Sequence, residues 1–171
     1  IFIIRKKLPR NSMSIQAGDK LPTATLNYLK DGVQAITTNE LFDNKKVVLF
    51  AVPGAFTPTC SAKHLPGYVE KMGEFSKKGI EVACLSVNDA FVMGAWAKNQ
   101  DVPENLHMLA DGNGEFTKAM GLELDATAFG MGLRAKRFAL YAENGVVKNV
   151  FVEAPGEFKV SAADYVLEQL G

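Results

Sequence analysis

The chain has 171 residues, 47% of them hydrophobic, with 19 basic and 19 acidic side chains, the length and composition of one globular domain rather than of a disordered chain. Two cysteines are too few for a disulfide scaffold and fit a reducing compartment, and no apolar stretch approaches the roughly eighteen residues of a membrane span. Arg5, Lys6, Lys7 and Arg10 crowd the start of the chain and leave the rest with an excess of acid, which argues against non-specific nucleic-acid binding.

Residues 1–12 show no continuing apolar period, and Met13 reads as a natural start. This segment is expected to be appended and flexible, either an expression tag or the remnant of a basic targeting presequence, followed by a single domain over 13–171. A soluble, cytoplasmic protein is expected, or a mitochondrial one if the segment is a presequence remnant.

An N-terminal hairpin is expected over 23–37. Residues 47–52 form a short, continuous apolar run rich in β-branched side chains, the mark of a strand buried on both faces. A helix then runs from Pro58 to about Lys78 and stops at Gly79, with Pro66 removing one backbone hydrogen bond and kinking it. The next strand covers 80–87. Asn88 or Asp89 caps a helix to about Lys98, with Phe91, Val92, Ala95 and Trp96 placed on one face.

Residues 106–110 read as a strand and 111–114 as a turn, with a short helix over 115–120. Residues 137–143 and 146–152 flank Asn144-Gly145 as a hairpin with a type I′ turn. A last helix spans 161–170. The order β-α-β-α-β, short helix, hairpin, helix predicts an α/β chain with a thioredoxin-like fold: a central mixed sheet flanked by helices, with the extra N-terminal hairpin.

Chemistry concentrates at Pro53-Gly-Ala-Phe-Thr57-Pro-Thr-Cys60. Thr57 can cap the helix and Pro58 can open it, so Cys60 falls at the third helical position. Unpaired amides and the positive end of the helix dipole then surround its sulfur, an arrangement that makes a thiol ionise more easily. A thiolate at a strand end, where α/β sheets place their crevices, is a nucleophile. Pro53 and Pro58 stiffen the loop.

Other candidates are weaker. Cys84 lies within an apolar strand and reads as core; a disulfide with Cys60 needs Cα atoms within about 7 Å. His64, four residues after Cys60, shares its helix face, but two ligands make no metal site and no metal is expected. His107 reads as structural. Arg134, Lys136 and Arg137 precede a strand, so one of them can lie beside the thiolate, and the residues alone do not say which. Gly130-Met-Gly-Leu-Arg-Ala135 echoes a dinucleotide loop but precedes a strand where that motif must follow one.

Pro53-x-x-x-Thr57-x-x-Cys60 resembles the active-site motif of the peroxiredoxins, thiol peroxidases with a thioredoxin-like fold. Residues 52–61, Lys63-His-Leu-Pro-Gly67, 84–92 and Lys136-Arg-Phe138 resemble the type II, or peroxiredoxin-five-like, subfamily, and the similarity runs from about Ser14 to Gly171. It implies that Cys60 is the peroxidatic cysteine, that Thr57 orients the peroxide, that Pro53 screens the sulfur and that Arg137 polarises thiolate and substrate with Arg134 as a helper. His64 is a supporting residue.

The resemblance further implies no bound cofactor, hydrogen peroxide and alkyl hydroperoxides as substrates, a sulfenic acid product, and a homodimer formed near the active-site loops. Some relatives carry a late cysteine in the segment corresponding to 152–162, absent here. Cys84 occupies the column of a resolving cysteine in plant-type members and of an unpaired one in animal members. An external reductant, glutathione with glutaredoxin or thioredoxin, is therefore expected. Two other classes fit a reactive thiol: a redox sensor or chaperone that stops after one oxidation, and a cysteine hydrolase using His64 or His107, which lacks an orienting third group and ranks last.

Overall fold

Val47, Val48, Leu49, Phe50 and Ala51 are all fully buried, as a strand hemmed in on both faces requires. In the computed structural model, which describes residues 14–171, they lie in β3 (Lys46–Ala51) near the middle of a seven-stranded sheet. Their side chains alternate between two cores: Val48 and Phe50 join one, while Val47, Leu49 and Ala51 join the other. Burial of each of the larger side chains contributes about 1.5–3 kcal/mol. Residues 1–12, read above as an appended segment, lie outside the described residues.

Around β3 stand β1 (Thr25–Leu29), β2 (Val33–Thr37), β4 (Ile80–Ser86), β5 (Leu106–Ala110), β8 (Phe138–Glu143) and β9 (Val146–Val152). The sheet order is β2-β1-β5-β4-β3-β8-β9. β3, β4 and β5 run parallel, β8 returns antiparallel beside β3, and the N-terminal hairpin joins the far edge antiparallel to β5. Asn144 and Gly145 turn the β8–β9 hairpin with φ of 51° and 76°, the paired positive values of a type I′ turn. This is the mixed, helix-flanked thioredoxin-like sheet that the element order predicts.

One core is covered by α2 (Leu65–Lys77), α3 (Ala90–Asn99) and α5 (Ala163–Leu170), through Tyr68, Met72, Phe75, Met93, Trp96 and Val166. The other is covered by α1 (Thr38–Phe42) and α4 (Glu115–Ala119). Two features were not read from the sequence. α1 opens with a capping box, in which the Thr37 hydroxyl accepts from the Glu40 amide and the Glu40 carboxylate accepts from the Thr37 amide. A small second sheet pairs β6 (Glu123–Asp125) with β7 (Leu133–Ala135).

The face expected for α3 is corrected. Ala90, Met93 and Trp96 turn inward, whereas Phe91 is 64% exposed and Ala95 is exposed too. Val92 packs against the same core as expected, and Gly94 lies so close to Leu29 of β1 that an added Cβ would overlap that side chain. Phe91 is left outside the core, above the sheet end that carries the motif.

Candidate active site

β3 ends beside β4, where the Val52 amide still donates to Leu85 O at 3.0 Å. The chain then turns through residues 53–57 into a helix that begins at Pro58, as expected. The turn is tied on both flanks. Asn88 Oδ1 accepts from the Ala55 amide at 3.0 Å and from the Ser86 hydroxyl at 2.5 Å. Opposite, Arg134 donates from Nη1 to Pro53 O at 3.1 Å and from Nε to Met131 O at 3.0 Å. A Cβ at Gly54 would stand 2.6 Å from that Nη1, so only glycine lets the arginine brace the turn this closely.

Thr57 departs from the capping role expected of it. Its hydroxyl donates to Gly54 O at 2.7 Å, so its hydrogen closes the turn, and its main-chain oxygen accepts the first helical bond from Ser61 at 2.9 Å. The amides of Thr59 and Cys60 precede that bond and stay outside the ladder. Cys60 is thus in the first helical turn and fully buried.

Pro66 acts differently from a simple kink. Leu65 N–H reaches back five residues to Cys60 O, making 60–64 a π-turn directly before α2. The widened turn takes up the disruption that a proline without an N–H brings, and His64 stands buried at its end.

His64 has no exposed surface. Its Nε2 lies 3.1 Å from Ser161 O and its Nδ1 lies 2.9 Å from Arg137 Nη1. Since a carbonyl only accepts and a guanidinium only donates, Nε2 carries the hydrogen and Nδ1 accepts. Both nitrogens are committed, leaving no lone pair for a metal. Burial first, and then the Arg137 charge, push the His64 pKa down to about 3 against a weaker opposing bond from Ser161.

Below pH 6.5 the unfolded state takes up a proton at His64 that the folded state refuses until about pH 3. Stability therefore falls as pH drops across that window, by up to about 1.4 kcal/mol per pH unit. Urea unfolding at stepped pH should show this slope, flattened in His64→Gln; an identical slope in the variant would contradict the assignment.

Arg137 resolves the choice among the three basic candidates. It leads into β8, whose register with β3 pairs Phe138 with Ala51, so its side chain reaches the turn after β3. Its Nη2 donates to Cys60 Sγ at 3.2 Å while its Nη1 holds His64. Lys136 is exposed, and Arg134 braces the loop without a hydrogen bond to the sulfur. One planar guanidinium spans sulfur and imidazole, which a lysine ammonium cannot reproduce.

Cys84 sits in β4, fully buried between Phe50 and Met108 in the same core as Cys60. Burial pushes its thiol pKa well up, and the charge of Cys60 adds to that. Both cysteines are free. His107 is structural as expected, with Nε2 3.1 Å from Glu81 Oε1. Three participants in the site were not read as such: Ser161, Tyr68, whose hydroxyl donates to Ser161 O at 2.7 Å, and Asn88, read as a helix cap, a place that Asp89 takes. All three act across long sequence separations, and only the strand-end position of Asn88 offered a signal.

The redoxin family model matches residues 16–167. The chain is 51% identical to Peroxiredoxin-2E, chloroplastic, of Arabidopsis thaliana over 92% of its length and 70% of that protein. To Peroxiredoxin-2B of the same plant it is 48% identical, over 91% of its length and 98% of the relative. Among solved structures, reduced Prx3 from Vibrio vulnificus in complex with hydrogen peroxide superposes with a TM-score of 0.88 at 52% identity, covering 92% of this chain and 99% of that one. Likeness on this scale in sequence and in structure bears out the resemblance carried by the motif: the chain belongs to the peroxiredoxins, in their type II or peroxiredoxin-five-like group.

Proposed function

We propose that the thiol-dependent peroxide reduction of this family is carried out here by Cys60, with Arg137, Thr57 and Pro53 around it. The observation that carries the assignment is the 3.2 Å contact from Arg137 Nη2 to Cys60 Sγ at the start of a helix. A guanidinium and first-turn amides are hydrogen-bond donors for the negative charge handled at this site. The thiolate attacks one peroxide oxygen, the O–O bond breaks, and the departing hydroxide or alkoxide takes a proton to leave as water or alcohol. Sulfur is left as sulfenic acid.

Thr57, its own hydrogen spent on Gly54, keeps lone pairs with which to accept the peroxide O–H. Arg137 and the first-turn amides face the oxygen on which charge develops. Pro53 is half-buried at the mouth of the turn and held by Arg134, a placement suited to shielding the sulfur. Full burial of Cys60 favours hydrogen peroxide and small alkyl hydroperoxides over bulky ones.

An external thiol completes the cycle in this reading, because the buried Cys84 with its raised pKa is a poor attacking group. The thiol attacks the sulfenic sulfur and expels water, and a second thiol releases Cys60. Glutathione with glutaredoxin, or thioredoxin, supplies both. Steady-state assays with each system should show many equivalents of peroxide consumed; arrest after one equivalent in both would favour a sensor instead. Free thiols suit a reducing compartment such as the cytoplasm.

Exposed Phe56, Phe91 and Phe129 lie on the turn itself, on α3 just past Asn88, and two residues before Met131. Apolar side chains exposed on these segments favour a homodimer formed by the active-site loops. Sedimentation of Phe91→Glu against the parent chain tests this, with a shift to monomer expected and an unchanged dimer contradicting it.

A further inference from the structure

After β9 the chain makes an excursion over residues 154–160 before α5, and a single carboxylate closes it. Glu153 Oε2 accepts from the amides of Lys159 at 2.7 Å and Ser161 at 2.8 Å, and from the Ser161 hydroxyl at 2.7 Å. Glu153 is 8% exposed. Burial pushes its carboxyl up, but the bonds from Ser161, Lys159 and Val160 outweigh that and hold it below the usual range. Its own amide donates to Arg137 O at 3.0 Å.

The closed loop touches Arg137 from two directions. Ser161 O, fixed by the clasp, orients His64, whose Nδ1 takes the Arg137 Nη1 hydrogen. Phe158, on the same loop, lies edge-on to the His64 ring at 5.0 Å and has the Arg137 guanidinium 5.9 Å from its ring centre. Glu153 has no hydrogen bond to the sulfur. We propose that Glu153 is a positioning residue: by clasping residues 154–160 it holds His64 and Phe158 against Arg137 and so aims the guanidinium at Cys60. This rests on the reading of Cys60 and Arg137 as the reacting pair.

A double-mutant cycle separates this role from loop anchoring alone. Glu153→Ala should slow oxidation of Cys60 by hydrogen peroxide about 10- to 100-fold and slow its alkylation by iodoacetamide at neutral pH about tenfold. In an Arg137→Ala background the same change should alter neither by more than about twofold. Multiplicative losses in the double variant, or a Glu153→Ala chain that melts earlier with both readouts unmoved, would overturn the proposal. If Arg137→Ala alone left both readouts unmoved, the reacting-pair reading itself would fall. Should Glu153→Ala not fold, Phe158→Ala enters the same cycle with the same two outcomes.

Discussion

Cys60→Ser is expected to reduce thiol-dependent peroxide turnover by more than about a thousandfold, the scale on which losing a nucleophile acts. The hydroxyl is close in size to the thiol, so the fully buried site should keep its packing and the variant its melting temperature. Cys84→Ser serves as the companion. Its thiol lies in the middle of the sheet with a raised pKa, so turnover with an external reductant should persist. Peroxide consumption followed in a coupled assay reads both, and retained activity in Cys60→Ser would move the chemistry elsewhere.

Arg137→Ala should lower the rate of peroxide reaction by about 10²- to 10³-fold, the usual cost of removing one preorganised donor from a developing charge. The side chain has two jobs, since Nη2 faces Cys60 Sγ and Nη1 faces His64 Nδ1. Its loss also strands a buried imidazole acceptor, at a cost of about 1–3 kcal/mol in stability. Arg137→Lys should recover part of the rate, because charge returns without the fork. Stopped-flow oxidation of the three chains measures the order; equal rates would remove Arg137 from the site.

How much of this was legible depended on sequence distance. The apolar run of β3, the break at Pro53 and the helix opening at Pro58 are local signals, and together they place Cys60 in the first turn. The parallel order of β3, β4 and β5 followed from alternation of strand and helix. Thr57 misled because a hydroxyl before a helix has two local partners, and the Gly54 carbonyl took it.

The α3 face misled for a different reason. Periodicity alone could not show that Gly94 packs against Leu29, or that Phe91 stays outside the core. Residues alone left Arg134, Lys136 and Arg137 open, and the resemblance pointed to Arg137. Its contact with the sulfur depends on the register of β8 against β3. His64 was seen to share the face of Cys60, while its burial under Ser161 depends on a segment 97 residues away.

Peptide mass mapping after one equivalent of hydrogen peroxide, with dimedone present to trap sulfenic acid, locates the sulfur that reacts. The adduct should appear on the peptide that carries Cys60, with Cys84 recovered as free thiol. Peroxide consumed while Cys60 is recovered unmodified would contradict the account.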